Sequence, residues 1–258
     1  MLLTVVRIIY ASARVSLKRD LLYIKDTVML IAFNITILVV QFAFFSFIYG
    51  NVPTINYVSF NDMMFLLATQ QIIEIFYYSF FFPSFVAMNS LVVEGKFDYF
   101  LVLPKNRQLL LNLWELDLKE LFGIIFPIFL LAKYSSFGSI KTVGLYFILV
   151  LVGLGIRTFF GMLIRNLTIA VVKVLSLQNL ESVLFGYASL PYVIYKGIFK
   201  LVFMLIIPVG IVANLAYGHI LRNNNYIVLI GVLLLIALYI LSEFTFKGFL
   251  KLYQSGGG

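Results

Sequence analysis

Five polar residues recur at helical spacing inside stretches otherwise suited to lipid. Gln70 and Gln71 lie four and three positions before Glu74, and Gln178 lies three before Glu181, so each set shares one helix face. An ionisable group at membrane depth is costly; it either ties packed helices together by hydrogen bonds or lines a wet path between them. Both uses are open to Gln70, Gln71, Glu74, Gln178 and Glu181. Arg157 interrupts another apolar run, and pairing with Glu120 or Glu181 and snorkelling to an interface are its alternatives. The aromatic run Phe76, Tyr77, Tyr78, Phe80, Phe81, Phe82 goes all the way round a helix and reads as lipid-facing and packing bulk.

Catalysis lacks parts. Cysteine is absent and His219 is the single histidine, which removes thiol nucleophiles and the Cys/His clusters typical of zinc sites. Gly153 and Gly155 in GLGIRT lack the third glycine and the preceding soluble strand of a dinucleotide fingerprint. The GxxxxGK[ST] phosphate loop is also missing. No catalytic residue, metal ligand or cofactor site is therefore assigned, and any ATP chemistry belongs to another polypeptide.

Recognition of such a polypeptide has one strong candidate, the charged island 94–108 between two greasy stretches. Gly95 and Pro104 bound a short amphipathic segment in which Phe97, Tyr99, Phe100 and Leu101 accompany Glu94, Lys96 and Asp98. Aromatic anchors beside charges suit a protein interface; an ordinary structured loop between spans is the bland alternative.

The elements that must position these residues follow from composition. The 258-residue chain is 62% hydrophobic and only 12% charged, with a mean hydropathy of +1.05. Soluble domains run at roughly 45–50% apolar and about 25% charged, so lipid is the expected solvent. Apolar runs at 27–49, 63–93, 118–132, 142–164 and 167–190, and one beginning at Tyr226, give six spans. Arg7, Arg14, Lys18 and Lys25 fall on one arc of roughly 40° opposite an apolar face, which reads as an interfacial helix over 1–26. Pro208 and Gly210 break the apolar segment 197–221, so the region 191–221, which starts at Pro191, is expected to be a re-entrant hairpin of two half-helices; a full span is the alternative. With the N-terminus inside, most of the nineteen Lys and Arg residues are cytoplasmic. That bias explains the net charge of +8 without nucleic acid. The expectation is one all-α membrane domain over 1–258.

This layout resembles the permease subunit of type-2 ATP-binding-cassette (ABC) exporters. Glu94, Gly95, Lys96, Asp98, Tyr99, Leu101 and Pro104 follow that family's pattern of an acidic residue, a glycine, a short helix and a proline. Pro191, Tyr195, Pro208 and Ala216 are similar to the outer hairpin of the branch related to daunorubicin-resistance permeases, and the ending Tyr253, Gln254, Ser255, Gly256 is similar to its closing motif. Tyr192, Lys196 and Leu215 stand where that branch has prolines. The resemblance implies a second permease, the same or a homologous chain, and separate ATPase subunits that hold ATP and Mg. It implies that 94–117 is the coupling region. It also makes Gln70, Gln71, Glu74, Gln178 and Glu181 translocation-path candidates, because the second and fifth spans line the dimer interface in that class. The implied place is the plasma membrane with both termini cytoplasmic, and the implied cargo is amphipathic or hydrophobic. A secondary transporter or channel-like protein without ATPase subunits is the other reading, since broken helices and buried carboxylates occur there too.

Overall fold

Uninterrupted apolar sequence becomes long helix. The computed structural model describes residues 2–102, 107–135, 137–170 and 175–253. In chain order the helices are α1 (Leu2–Leu22), α2 (Ile24–Asn51), α3 (Phe60–Phe80), α4 (Phe82–Val93), α5 (Asp98–Leu101), α6 (Arg107–Asn112), α7 (Ile125–Tyr134), α8 (Ile140–Ala170), α9 (Leu175–Phe185), α10 (Gly197–Leu201), α11 (Val209–Val212), α12 (Asn214–Ile220) and α13 (Asn225–Leu250). A 3-10 segment, Leu118–Ile124, precedes α7. α3 and α4 make one 34-residue rod, jointed at Phe81 where Pro83 in the first turn of α4 supplies no N–H. The one departure from an all-α chain among the described residues is a two-residue antiparallel pair, β1 (Thr54–Ile55) with β2 (Val58–Ser59). Its turn residues Asn56 and Tyr57 both have positive φ, as a tight hairpin of right-handed twist demands. Ser59 then caps α3 in a reciprocal box with Asp62.

Among the described residues, four helices are long and apolar enough to cross a membrane: α2, the α3–α4 rod, α8 and α13, with a fifth if the pair Gly197–Ile206 and Val209–Ile220 counts as one span. That is fewer than the six expected. The run at 118–132 carries Lys119, Glu120, Gly123 and Pro127, and it forms the seven-residue 3-10 segment and the ten-residue α7 instead of one helix. The run at 167–190 is divided between the end of α8 and the eleven-residue α9. The pair after Pro191 bends by 78° at Ile207 and Pro208. Its first limb is largely exposed, whereas Val209 to Gly218 are buried.

α8 is the axis of the molecule. It packs along α13 and also meets α3, α4, α9, α11 and α12. α2 is peripheral: Thr27 and Leu38 are its buried residues, while Phe33, Val40, Phe44 and Phe47 face outward. Leu151 on α8 and Leu233, Ile236 and Ile240 on α13 continue this apolar exterior, which suits contact with lipid and not with water. α1 ends at Leu22, with Arg14, Lys18 and Lys25 exposed. It is also docked: Ser12 donates to the Trp114 carbonyl at 2.8 Å, and Arg19 pairs with Asp117 at 3.2 Å.

The close approach of α8 to the bent pair rests on Gly153, where an added Cβ would sit 2.6 Å from the Val212 carbonyl oxygen. Backbone cannot swing aside as a side chain can. Gly153→Val should therefore cost about 1–3 kcal/mol through overpacking, read as a lower melting temperature of the detergent-purified protein. Gly144→Val on the same helix, where nothing lies within 4 Å, should change it little.

Candidate functional site

Arg157 gathers two of the five polar candidates, Glu74 and Glu181. Its Nε donates to Glu74 Oε1 at 2.9 Å and its Nη2 to Glu74 Oε2 at 3.4 Å, while Nη1 forms an ion pair with Glu181. The guanidinium carbon lies 3.7 Å from the centre of the Tyr77 ring and 4.0 Å from that of Phe185. α3, α8 and α9 thus meet around one cation held in plane by carboxylates and above and below by π faces. Arg157 is fully buried, with Glu74 at 7% and Glu181 at 4% exposure. Of its two sequence-level partners, Glu181 is correct. Glu120 instead accepts from Asn34 at 2.9 Å, and the principal partner is Glu74. Of its aromatic run, expected to be lipid-facing and packing bulk, Tyr77 is fully buried and serves packing, while Phe76, Tyr78, Phe80, Phe81 and Phe82 are half-buried.

Beside this triad lies a cleft of about 230 Å³ between α2, α3, the 3-10 segment and α9, lined by Asn34, Gln41, Gln70, Gln71, Glu74 and Glu120 among others. Gln71 donates to Gln41 at 3.1 Å, and Gln70 donates to the Phe185 carbonyl at 3.3 Å. The Gln70 Oε1 has no hydrogen-bond partner. Three of the five candidates, Gln70, Gln71 and Glu74, therefore line one cavity. Glu181 stands behind it on Arg157, and Gln178 turns elsewhere, donating to the Phe85 carbonyl at 3.1 Å and accepting from Asn89 at 3.0 Å. Asn34 and Gln41 were missed, although their seven-residue spacing puts both on one face of an otherwise greasy helix.

The island is a separate site at the far end of α4. Gly95 has φ +68°, a left-handed turn that ends α4 and that a side chain would strain. Lys96 pairs with Glu94 at 2.6 Å, which holds its ammonium above the usual lysine pKa. Phe97 and Phe100 are buried among Met88, Leu111, Ile169 and Phe246, so these two aromatics anchor the island to its own protein and not to a partner. Tyr99 at 74% and Val102 at 79% exposure are what α5 and its end present outward. The Tyr253 ring packs on Phe97 at 5.0 Å, and burial and the Asp98 carboxylate both push its phenol pKa up. Pro104 lies outside the described residues. Next to the island, fully buried Arg165 is bound by Asn112 and by Asn166, the latter at 2.8 Å, and Asn166 donates to the Ser242 carbonyl at 2.9 Å. α6, α8 and α13 are joined there by amide hydrogen bonds, with no carboxylate salt bridge to Arg165 among the described residues. Of the outer hairpin residues, Pro191 and Gly210 are buried, and Pro208 sits at the 78° bend.

A family model described as ABC-2 family transporter protein matches residues 35–257. No curated protein and no solved structure matches the chain.

Removing one member of a buried ion pair strands the other charge, at about 3–5 kcal/mol. Arg157→Leu leaves two carboxylates uncompensated and should lower the melting temperature and the yield of folded protein the most. Glu74→Gln keeps the Arg157–Glu181 pair and should cost less than half as much. Melting curves of the purified variants test the order. Equal stability of Arg157→Leu and wild type would remove the triad from the account of the fold.

Proposed function

The chain belongs to the ABC-2 family of transporter proteins, and from that premise we propose that it is the permease subunit of an ABC exporter, pairing with a second permease and driven by separate ATPase subunits. The observation that carries this reading is the family match over nearly the whole chain, in a sequence that has no phosphate loop. ATP and Mg are then held in the partners. The island 94–117 is the docking region, and its geometry supports that role: Phe97 and Phe100 fix α5 to the protein while Tyr99 and Val102 remain exposed. Gln70, Gln71 and Glu74 belong to the path for an amphipathic or hydrophobic substrate. Gln178 and Glu181 support that path from α9.

The proposed topology has six crossings in the plasma membrane, with both termini cytoplasmic and 191–221 re-entrant from the outside. A seven-residue 3-10 segment and the ten-residue α7 would together reach about 29 Å, close to the hydrocarbon thickness of about 30 Å. This supports a third crossing built from two pieces. Pro191, Tyr195, Pro208 and Ala216 are the basis for proposing the daunorubicin-resistance-related branch. A secondary transporter is the second reading, favoured by the broken pair and the buried carboxylates; it predicts transport with no ATPase attached.

Purification of the tagged permease from its native membrane should bring an ABC ATPase with it. Glu94→Lys and Tyr99→Ala should each reduce the copurifying ATPase or its transport-linked hydrolysis several-fold, and unchanged assembly and transport in both variants would remove the island from the docking role. In this cysteine-free chain, single cysteines at Lys196 and Asn225, both exposed, should both react with an impermeant maleimide from outside, and one at Lys251 should not. Reaction at only one of Lys196 and Asn225 would make 197–220 a complete crossing.

A further inference from the structure

The charged residues lining the cleft beside the triad are both carboxylates, Glu74 and Glu120. No Lys or Arg is among its lining residues, and Arg157 behind it is fully buried and already divided between Glu74 and Glu181. Glu120, on another wall, is bonded to the neutral amide of Asn34. The neighbouring Lys119 is paired with Asp117 at 3.3 Å and Arg19 with the same carboxylate. Gln70 is only 3% exposed and its Oε1 is buried without a hydrogen-bond partner, so this residue brings no charge and no free donor to the lining. Ile37, Leu38 and Ile75 supply apolar wall between these groups.

Size narrows the occupant. About 230 Å³ is less than the roughly 300–1,000 Å³ of a pocket that swallows a drug-sized ligand whole. Room for a small head group, with apolar wall beside it and the little-buried α2 alongside, points to a molecule whose remainder stays in lipid. Carboxylate and amide oxygens select a head that donates hydrogen bonds and is positive. An anionic head would meet Glu74 and Glu120 in a medium where like charges are poorly screened.

We propose that this cleft binds the ammonium group of an amphipathic amine, with Glu120 as its counter-ion. The proposal names the substrate class of the path assigned above and rests on that reading only for the word substrate; binding itself needs neither a partner nor ATP. Glu120 is then a specificity residue, distinct from the structural pair Glu74–Arg157.

Radiolabelled decylamine binding to the purified permease in phosphatidylcholine nanodiscs at neutral pH, with empty discs subtracted, tests it. Decylamine should bind saturably, and unlabelled decanol and decanoate should each compete at least tenfold more weakly than decylamine. Glu120→Gln should weaken decylamine binding at least tenfold while leaving the melting temperature unchanged. Gln41→Lys, which supplies a tethered ammonium from the α2 side and leaves the Asn34–Glu120 bond intact, should abolish binding, so that a folding defect in one variant does not decide the matter. Equal competition by amine and alcohol, or wild-type affinity in both variants, would overturn the proposal. Either result would leave copurification of an ATPase untouched, and absence of an ATPase would leave amine binding untouched.

Discussion

A guanidinium with no access to water has to be neutralised by its own protein, and that requirement organises the centre of this molecule. Arg157 draws α3 and α9 onto α8 through Glu74 and Glu181, and the rings of Tyr77 and Phe185 close the remaining faces. The attraction is strong because the surroundings are apolar, and the same surroundings make each member expensive to leave unpaired. Glu74 is where the two readings of an intramembrane carboxylate meet. It ties helices together, and its edge forms part of the cleft wall. Structural and path roles are thus not exclusive for this residue.

Irregular backbone near membrane depth needs cover, and the bent pair shows how it is found. Ile207 N donates to the Val202 carbonyl at 2.8 Å, a five-residue loop-back that widens the helix before the bend. Pro208 has no N–H to satisfy. The second limb, Val209 to Gly218, is buried against α3, α8 and α13. Asn214 closes the entrance by accepting from the Tyr192 N–H at 3.0 Å and donating to the Leu190 carbonyl at 2.9 Å. Protein takes the place of lipid along one limb only, and the mostly exposed 197–207 limb faces outward.

The long helices were legible because hydropathy is a local property. The runs at 27–49 and 142–164 lie inside α2 and α8, which extend beyond them because helix continues after the apolar stretch stops. Pieces under 18 residues were not separable this way: 118–132 has the composition of a span and the backbone of two elements. Glu74, Gln70 and Gln71 were legible as one face from their spacing. The partner of Arg157 was not, since Glu74 is 83 residues away and the choice among carboxylates is made by packing. Gly161 illustrates why. A side chain there would collide with the Tyr77 hydroxyl, so one aromatic of a run that circles its helix turns inward, for a reason written on another helix. Amphipathicity misplaced Phe97 and Phe100 in the same way, because an anchor to a partner and an anchor to one's own core share a composition.

α8 connects the two sites. Arg165 lies eight residues after Arg157, about 12 Å along the helix, and one further turn brings Ile169 into the cluster that holds Phe97 and Phe100. No proline interrupts α8. α5 therefore meets α8 through Ile169, as it meets α4 through Met88 and α13 through Phe246, and in a close-packed cluster these contacts are stiff. Further along α8, α3 and α9 are held at Arg157 by directional bonds of 2.9–3.4 Å to Glu74 and by the ion pair to Glu181. A bidentate ion pair in a dry site loses strength steeply with misalignment. The cleft wall at Glu74 is thus joined to the island by one unbroken helix, through Arg157, Arg165 and Ile169.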